Sequence, residues 1–146
     1  MANNKHNQIT EPIAKLLQDS NFAFLSTLMS DGSPQVTPTW IDVEDDVVLI
    51  NTAEGRIKHK NISRDPRVAI SIVDRNNPYN MVTIRGKVIG QTNQDADEHI
   101  DKLAKKYLGV DRYPRRSPNE KRIILKVKPE KIFHQQPPRK MYISCT

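Results

Sequence analysis

The residues with the most distinctive chemistry form a basic stretch in the middle of the chain, from Glu54 to Arg67. Within it, five cations outnumber two carboxylates, Glu54 and Asp65; the cations are Arg56, Lys58, Lys60, Arg64 and Arg67. Arg56 and Lys58 come directly after a predicted buried strand and at the start of a predicted helical turn. Guanidinium, ammonium and unpaired backbone N–H groups can therefore converge there on one anion, and phosphate is the natural occupant. The alternative is a solvated basic helix face.

A second basic cluster lies on a predicted loop rich in proline and arginine, between Tyr113 and Pro118, and at its borders. Its cations are Arg112, Arg115, Arg116, Lys121 and Arg122. This cluster could bind another anionic group, and the alternative is again a solvated surface.

Other catalytic signatures are missing. The four histidines, His6, His59, His99 and His134, share no metal-ligand spacing with one another or with Cys145, so no metal site is predicted. There is no glycine-rich dinucleotide motif, P-loop or Gly-x-Ser-x-Gly elbow. Many carboxylates fall on predicted turns or at a helix start, where solvation or the helix dipole explains them; these are Glu44, Asp45, Asp46, Asp95, Asp97 and Glu98. The catalytic residues are therefore unassigned.

The composition narrows the class of partner. The 146 residues carry a formal net charge of +6, which favours an anionic partner, but only 5% are aromatic, which is low for a protein that stacks on exposed bases. No apolar run reaches the roughly 20 residues of a membrane span. Residues Met1–Gln8 lack the apolar core of a signal peptide, and a single cysteine excludes an intrachain disulfide. We expect a cytoplasmic protein that binds neither membrane nor nucleic acid.

Local patterns predict three helices and six short strands. The first helix begins at an N-cap, Thr10, and ends near Asp19; the second is a surface helix within 54–64; the third is capped by Asn93 or Thr92 and closed by Gly109. The strands are predicted at 22–28, 35–41, 47–51, 68–73, 81–89 and 122–127, the last with an extension over 129–133. Pro38 indicates an edge strand or bulge and Gly86 a bulge, while 42–46 is predicted to be an acidic turn and 74–80 a loop.

Short strands joined mostly by tight turns exclude a doubly wound parallel sheet. An antiparallel barrel is the natural way to remove the edges of such a sheet. We predict a flexible N-terminus over residues 1–9, one cofactor-binding barrel domain over 10–134, and a C-terminal tail over 135–146.

The order of these elements resembles a known family. The segments 22–28, 31–40 and above all Asn51–Val68, followed by Asn77–Tyr79, Arg85–Val88 and Tyr113–Pro114, are similar to the split-barrel flavoproteins related to pyridoxamine 5′-phosphate oxidase. Within that superfamily the chain most resembles the small oxidoreductases that depend on the deazaflavin coenzyme F-420. The resemblance covers roughly residues 11–134.

The resemblance implies a mainly β protein: a six-stranded antiparallel split β-barrel of the FMN-binding type with two or three short helices. It implies a homodimer with two equivalent cofactor sites at the subunit interface, each holding FMN or F-420. Arg56 and Lys58 would grip the cofactor phosphate, with Asn61 in the same motif. Lys60, Arg64 or the loop arginines could meet the carboxylates of a deazaflavin tail. The ring system would lie beside one strand and the neighbouring strand end, at Thr37, Pro38, Thr39, Trp40, Asn51 and Thr52.

Two features depart from that family. Met81 stands where relatives have a glutamine that contacts the ring, and Gln135–Thr146 does not resemble the segment that pyridoxamine-phosphate oxidases use for their substrate. Vitamin B6 oxidation is therefore not expected. Tyr79 and Met81 are nevertheless included among the candidate cofactor-binding residues, and Tyr79, Met81 and Arg85 are the candidates for residues that cross the dimer interface.

Three functions follow as hypotheses. The first is an oxidoreductase that transfers hydride from bound F-420 or FMN to a small conjugated organic acceptor. The second is a non-catalytic flavin or haem carrier or sensor on the same barrel. The third, suggested by charge alone, is a nucleic-acid-binding barrel.

Overall fold

The computed structural model describes residues 8–136, which form seven strands and three helices. The helices are α1 (Glu11–Gln18), α2 (Ile57–Arg64) and α3 (Ala96–Leu108). The strands are β1 (Ala23–Leu28), β2 (Pro34–Thr39), β3 (Asp42–Glu44), β4 (Val47–Ala53), β5 (Arg67–Asp74), β6 (Asn77–Thr92) and β7 (Arg122–Gln135). None of these helices is both long and apolar enough to cross a bilayer.

The strands form one antiparallel sheet in the order β2-β1-β5-β6-β7-β4-β3. Its two end strands, β2 and β3, are separated in the chain by only Trp40 and Ile41. The three Cα steps from Thr39 to Asp42 span at most about 11 Å, so the two edges of the sheet must come together. The connection therefore draws the sheet into a split barrel, and the predicted fold class is confirmed, with seven strands instead of the predicted six.

The interior of the barrel is filled by alternating apolar residues of the strands. Fully buried members include Leu25, Ile50, Ile70, Ile84 and Leu125. Helix α1 adds Ile13, Leu16 and Leu17 to the same core, in keeping with its predicted amphipathic pattern. Strand β4 is buried along almost its whole length because one face lines the barrel and the other packs beneath α3.

Three predictions of local structure were wrong. Asp42–Glu44 is a strand, not part of a turn: it pairs with Val47–Leu49, which leaves only Asp45 and Asp46 to turn. The predicted 74–80 loop is a tight hairpin, because β5 runs to Asp74 and β6 begins at Asn77. The N-cap of α3 is Asp95, with a φ of 61°.

Asn93 does not cap α3 because its side chain is engaged elsewhere. Its amide donates to Glu54 Oε1 at 3.1 Å and to the Arg122 carbonyl at 2.8 Å. The sequence pattern marks the residue as a good cap but cannot show that Glu54, just after β4, and Arg122 of β7 accept hydrogen bonds from its side chain.

Gly86 lies at an irregularity in the β6–β7 pairing, as predicted. A Cβ atom there would collide with the Lys128 carbonyl, so the close approach of the two strands requires glycine. Pro38 lies on β2, which is an end strand of the sheet, also as predicted.

The predicted flexible N-terminus and tail fall mainly on 1–7 and 137–146, outside the described residues. Ile9 packs against the core, and Gln135 ends β7. The domain boundaries at 10 and 134 remain predictions.

Candidate anion-binding site

A cleft of about 310 Å³ opens where the end of β2, the end of β4, the start of α2 and the loop before β7 meet. Six of the predicted site residues line it: Pro38, Thr39, Trp40, Asn51, Arg56 and Lys58. Five further residues complete the lining: Phe22, Ile100, Tyr113, Arg115 and Arg122. The two basic clusters of the sequence therefore meet at one place.

The cleft carries four cations, and one nearby carboxylate bridges two of them. Glu120 Oε1 lies 2.8 Å from Arg56, and Glu120 Oε2 lies 3.3 Å from Arg122. The hydrogen bond from Arg56 lowers the pKa of Glu120. Arg115 has no acidic partner among residues 8–136, which leaves the cleft with an excess of positive charge.

Lys58 is the most exceptional of these cations. Its ammonium group makes no hydrogen bond or ion pair within the part of the chain that the structure describes. Burial, and then the charges of Arg56 and Arg122, lower the pKa of Lys58. A half-buried ammonium between two guanidinium groups is unfavourable by itself, and an anion in the cleft would relieve it.

Arg122 is nearly fully buried, with 7% exposure. Its Nε donates to Asn51 Oδ1 at 2.9 Å, and its guanidinium carbon lies 5.3 Å from the centre of the Tyr113 ring. Burial and the charge of Arg56 lower the pKa of Arg122. Contacts with Asn51, Tyr113 and Glu120 hold the Arg122 guanidinium in place, so it presents a fixed positive charge to the cleft.

Aromatic rings form part of the wall of the cleft. Trp40 stacks on Tyr107 with ring centres 5.3 Å apart and an angle of 5° between the planes. Tyr113 lies nearly perpendicular to Trp40, with ring centres 5.9 Å apart. The Tyr107 hydroxyl donates to the Asn21 carbonyl at 2.6 Å and accepts from the Ile41 N–H at 3.1 Å. This wall is therefore anchored to the backbone at Ile41, in the β2–β3 connection, and at Asn21, just before β1.

The remaining predicted site residues do not line the cleft; they are Thr37, Thr52, Lys60, Asn61, Tyr79 and Met81. Asn51 and Thr52 point to opposite faces of β4, so only Asn51 reaches the cleft, and the Thr52 hydroxyl is buried without a hydrogen-bond partner among the described residues. Asn61 is also buried: its amide donates to Thr27 Oγ1 at 2.9 Å and ties α2 to β1. Whether these residues contact a cofactor remains a prediction.

Behind the cleft, Asp42 accepts hydrogen bonds from two directions. His99 Nε2 lies 3.0 Å from Oδ2, and the Val43 N–H lies 2.8 Å from Oδ1. Burial alone would raise the pKa of Asp42, but the His99 and Val43 hydrogen bonds and the Lys102 charge outweigh it and lower the pKa to about 2.

Asp42 should therefore make the protein sensitive to acid. Because its folded pKa lies below the ordinary value, its contribution is complete above about pH 4 and is lost as the pH falls toward 2. We expect Asp42→Asn to lower the free energy of unfolding by about 2 kcal/mol at neutral pH and by much less near pH 2. Urea unfolding of both proteins across this range tests it, and a gap that does not change with pH would contradict it.

No group of three or more histidine, cysteine, aspartate or glutamate side chains within residues 8–136 is placed to hold a metal ion.

Comparison with known proteins agrees with this architecture. The sequence model of the pyridoxamine 5′-phosphate oxidase family matches residues 9–136. An F420 reductase structure is similar over 82% of this chain and 94% of its own, with 29% identity and a TM-score of 0.72.

Two further solved structures share the fold. The conserved hypothetical protein Rv2991 from Mycobacterium tuberculosis is 20% identical over 93% of this chain and 90% of its own, with a TM-score of 0.67. HupZ from Group A Streptococcus is 21% identical over 87% and 94%, with a TM-score of 0.65. A search of curated protein sequences gives no match.

Proposed function

Since the chain belongs to the pyridoxamine 5′-phosphate oxidase family, we propose that it binds F-420 or FMN by the phosphate in the cationic cleft. We further propose that it is an oxidoreductase that passes hydride to a small conjugated organic acceptor. The observation that carries the proposal is the excess of cations in one cleft, above all the half-buried Lys58 without a counter-ion among the described residues.

The chemistry of the cleft fits such a cofactor. Guanidinium and ammonium groups bind phosphate strongly through charge-assisted hydrogen bonds. The wall of Trp40 and Tyr113 offers an apolar surface beside them, suited to a fused ring. When bound, the cofactor supplies the redox chemistry.

The residues of this chain have three tasks in the proposed reaction. Arg56, Lys58 and Arg122 fix the phosphate and thereby the position of the ring. Pro38, Thr39 and Trp40 lie along the edge strand and give the ring a rigid support that excludes water. Rigid placement of the reactants lowers the barrier without requiring an acid–base pair from the protein.

F-420 is favoured over FMN by two observations. The F420 reductase is 29% identical to this chain, which is higher than the identity of the other two structures compared above. The deazaflavin tail also carries carboxylates beyond the phosphate, and Arg115 on the cleft and the exposed Lys60 on α2 are available to meet them.

A homodimer is part of the proposal, and the outer face of the sheet supports it. Two rows of side chains cross five strands: Pro38, Phe24, Ser71, Thr83 and Phe133 form the first, and Val36, Ser26, Ala69, Arg85 and Lys131 form the second. The two rows contain the small residues Ser26, Ala69 and Ser71 on β1 and β5, while Phe24, Val36 and Phe133 are 45%, 61% and 63% exposed. We name these ten residues the outer face. A second copy is its proposed occupant.

The outer face and the cleft are continuous because Pro38 belongs to both. Met81 and Tyr79 precede Thr83 on β6 at spacings of two, so they lie on the same side of the sheet. Two copies packed by this face would bring Tyr79 and Met81 of one protomer toward the cleft of its partner.

The proposal is tested with purified protein titrated separately with F-420 and FMN by isothermal calorimetry. We expect saturable binding of one or both, tighter for F-420, and reoxidation of the reduced, bound cofactor by a quinone. Tight FMN binding without F-420 affinity would reverse the order of the cofactors. A bound cofactor that no acceptor reoxidises would instead favour the carrier or sensor, and absence of binding would refute the proposal.

Glu120→Gln is expected to strengthen cofactor binding. The variant keeps a hydrogen-bonding side chain but removes the carboxylate that competes for Arg56 and Arg122. We expect the Kd of FMN to fall about 3- to 10-fold at low salt. The gain should be smaller at high salt, because salt screens the attraction between the phosphate and the guanidinium groups of Arg56 and Arg122. Glu11→Gln, an exposed change of equal charge on α1, is the matched control, and equal affinities in all three proteins would contradict the prediction.

A further inference from the structure

A continuous chain of buried polar side chains leads away from the cleft beneath α3. Arg122 Nε donates to Asn51 Oδ1 at 2.9 Å, Asn51 Nδ2 lies 3.1 Å from His99 Nδ1, and His99 Nε2 lies 3.0 Å from Asp42 Oδ2. All four residues are 9% exposed or less. They come from β7, β4, α3 and β3, so this series of hydrogen bonds exists only in the assembled fold.

The donors and acceptors of these four hydrogen-bonded side chains can be arranged in only one way. Arg122 Nε can only donate, so the Asn51 oxygen must face it and the Asn51 amide nitrogen must face away. That nitrogen donates one hydrogen to the Ala96 carbonyl at 2.8 Å, and its other hydrogen points to His99 Nδ1. His99 Nδ1 must therefore be an acceptor, and the His99 proton lies on Nε2, where it is donated to Asp42.

We propose that His99 is a positioning residue for the cleft. With its proton on Nε2, His99 fixes the orientation of the Asn51 amide, and Asn51 in turn aims the Arg122 guanidinium at the bound phosphate. The proposal rests on the proposed function for its ligand, but the hydrogen-bond arrangement it describes exists without one.

A second proton on His99 is incompatible with this arrangement. Nδ1 would become a donor opposite the amide hydrogens of Asn51. The Asn51 amide would have to rotate, and its NH₂ group would then face Arg122 Nε, which also donates. Protonation of His99 and binding of the phosphate therefore oppose each other, as linkage requires.

Several charged groups face His99 and influence its proton. Asp42 on β3 accepts from Nε2, and Lys102 on α3 lies 3.3 Å from the same carboxylate. The groove beside His99 is also lined by Glu44 of β3, Lys126 of β7, and Asp95 and Glu98 around the start of α3. Arg122 stands behind Asn51.

The first test measures FMN affinity against pH for the wild type, His99→Gln and His99→Leu. Glutamine keeps one acceptor and one donor, so at about pH 8 we expect it to bind FMN within about threefold of the wild type, and leucine to bind at least about tenfold more weakly. At lower pH the wild type should lose more affinity than His99→Gln, because glutamine has no ring nitrogen that could take a second proton. The FMN phosphate also titrates, but it does so in the same way with both proteins and therefore does not contribute to the difference between them.

His134→Gln is the matched control because its Nε2 bonds to Asn80, away from the cleft. Its pH profile should equal that of the wild type. Equal affinities and equal pH profiles in the wild type and His99→Leu would overturn the proposal.

The second test needs no ligand. The Nε–Hε resonance of Arg122 is assigned by its loss in Arg122→Lys and followed by ¹⁵N NMR as the pH is lowered. We expect it to shift in the wild type and not in His99→Gln, and to be displaced at all pH values in His99→Leu. If neither the wild type nor the His99 variants bind FMN but the Arg122 resonance shows these shifts, His99 does position Arg122 and the proposed function is wrong. If the Arg122 resonance changes neither with pH nor with either substitution, His99 does not position Arg122. If His99→Leu does not fold, the comparison of the wild type with His99→Gln still decides the question.

Discussion

An Arg56→Ala/Lys58→Ala double variant is expected to bind FMN or F-420 about 100- to 10,000-fold more weakly than the wild type. Hydrogen bonds to charged groups are worth about 1.5–3 kcal/mol each, and tenfold in Kd is about 1.4 kcal/mol. The single variants should differ. Arg56 is 43% exposed and already paired with Glu120, whereas Lys58 is half-buried and has no counter-ion among the described residues, so Lys58→Ala should have the larger effect.

The double variant should remain folded. Arg56–Glu120 is a surface ion pair, and such pairs contribute about 0–1 kcal/mol to stability. Loss of Lys58 removes repulsion among three neighbouring cations. Circular dichroism and thermal unfolding check this, and calorimetry measures the affinity.

The matched control is Lys105→Ala/Lys128→Ala, which also removes two positive charges, but from exposed positions outside the cleft. If the control loses as much affinity as the double variant, general attraction between a basic protein and an anionic ligand explains the binding. If neither loses affinity, the cleft does not hold the phosphate.

About half of the cleft could be proposed from the sequence. Arg56 and Lys58 stand out because they follow β4 closely in the chain and carry the charges that a phosphate requires. Pro38, Thr39, Trp40 and Asn51 are implied only by the family resemblance. The other half depends on strand order. Arg122 reaches Asn51 across 71 residues because β7 pairs with β4, and no local pattern predicts that pairing.

One error in local structure and two side-chain placements depend on the assembled fold in a similar way. Asp42–Glu44 is acidic and only three residues long, and it is a strand because β4 offers it an edge to pair with. The Asn61 amide holds α2 against β1 by donating to Thr27, 34 residues earlier in the chain. His99 has no ligand spacing with the other histidines, so only the assembled fold reveals its position between Asn51 and Asp42.

An Ala69→Arg variant is expected to convert the proposed dimer to monomers. Ala69 lies near the centre of the outer face, between Ser26 and Arg85 of the neighbouring strands, and a second copy there leaves no room for a long cationic side chain. In an interface with twofold symmetry each substitution acts twice. A buried charge without a partner costs several kcal/mol, so the dimer Kd should rise at least about 100-fold.

Light scattering after size-exclusion chromatography measures this change, and FMN titration of the same samples measures its consequence. Ala69 lies on the outer side of the sheet and is only half-buried within a single protomer, so the variant should stay folded. Leu108→Arg, on an exposed residue of α3, is the control for added charge. Because Pro38 belongs to both the outer face and the cleft, we expect the monomer to bind FMN more weakly although every cleft residue of the protomer is intact. A variant that is monomeric but keeps full affinity would mean that each protomer forms its site alone, and a dimeric variant would place the interface elsewhere.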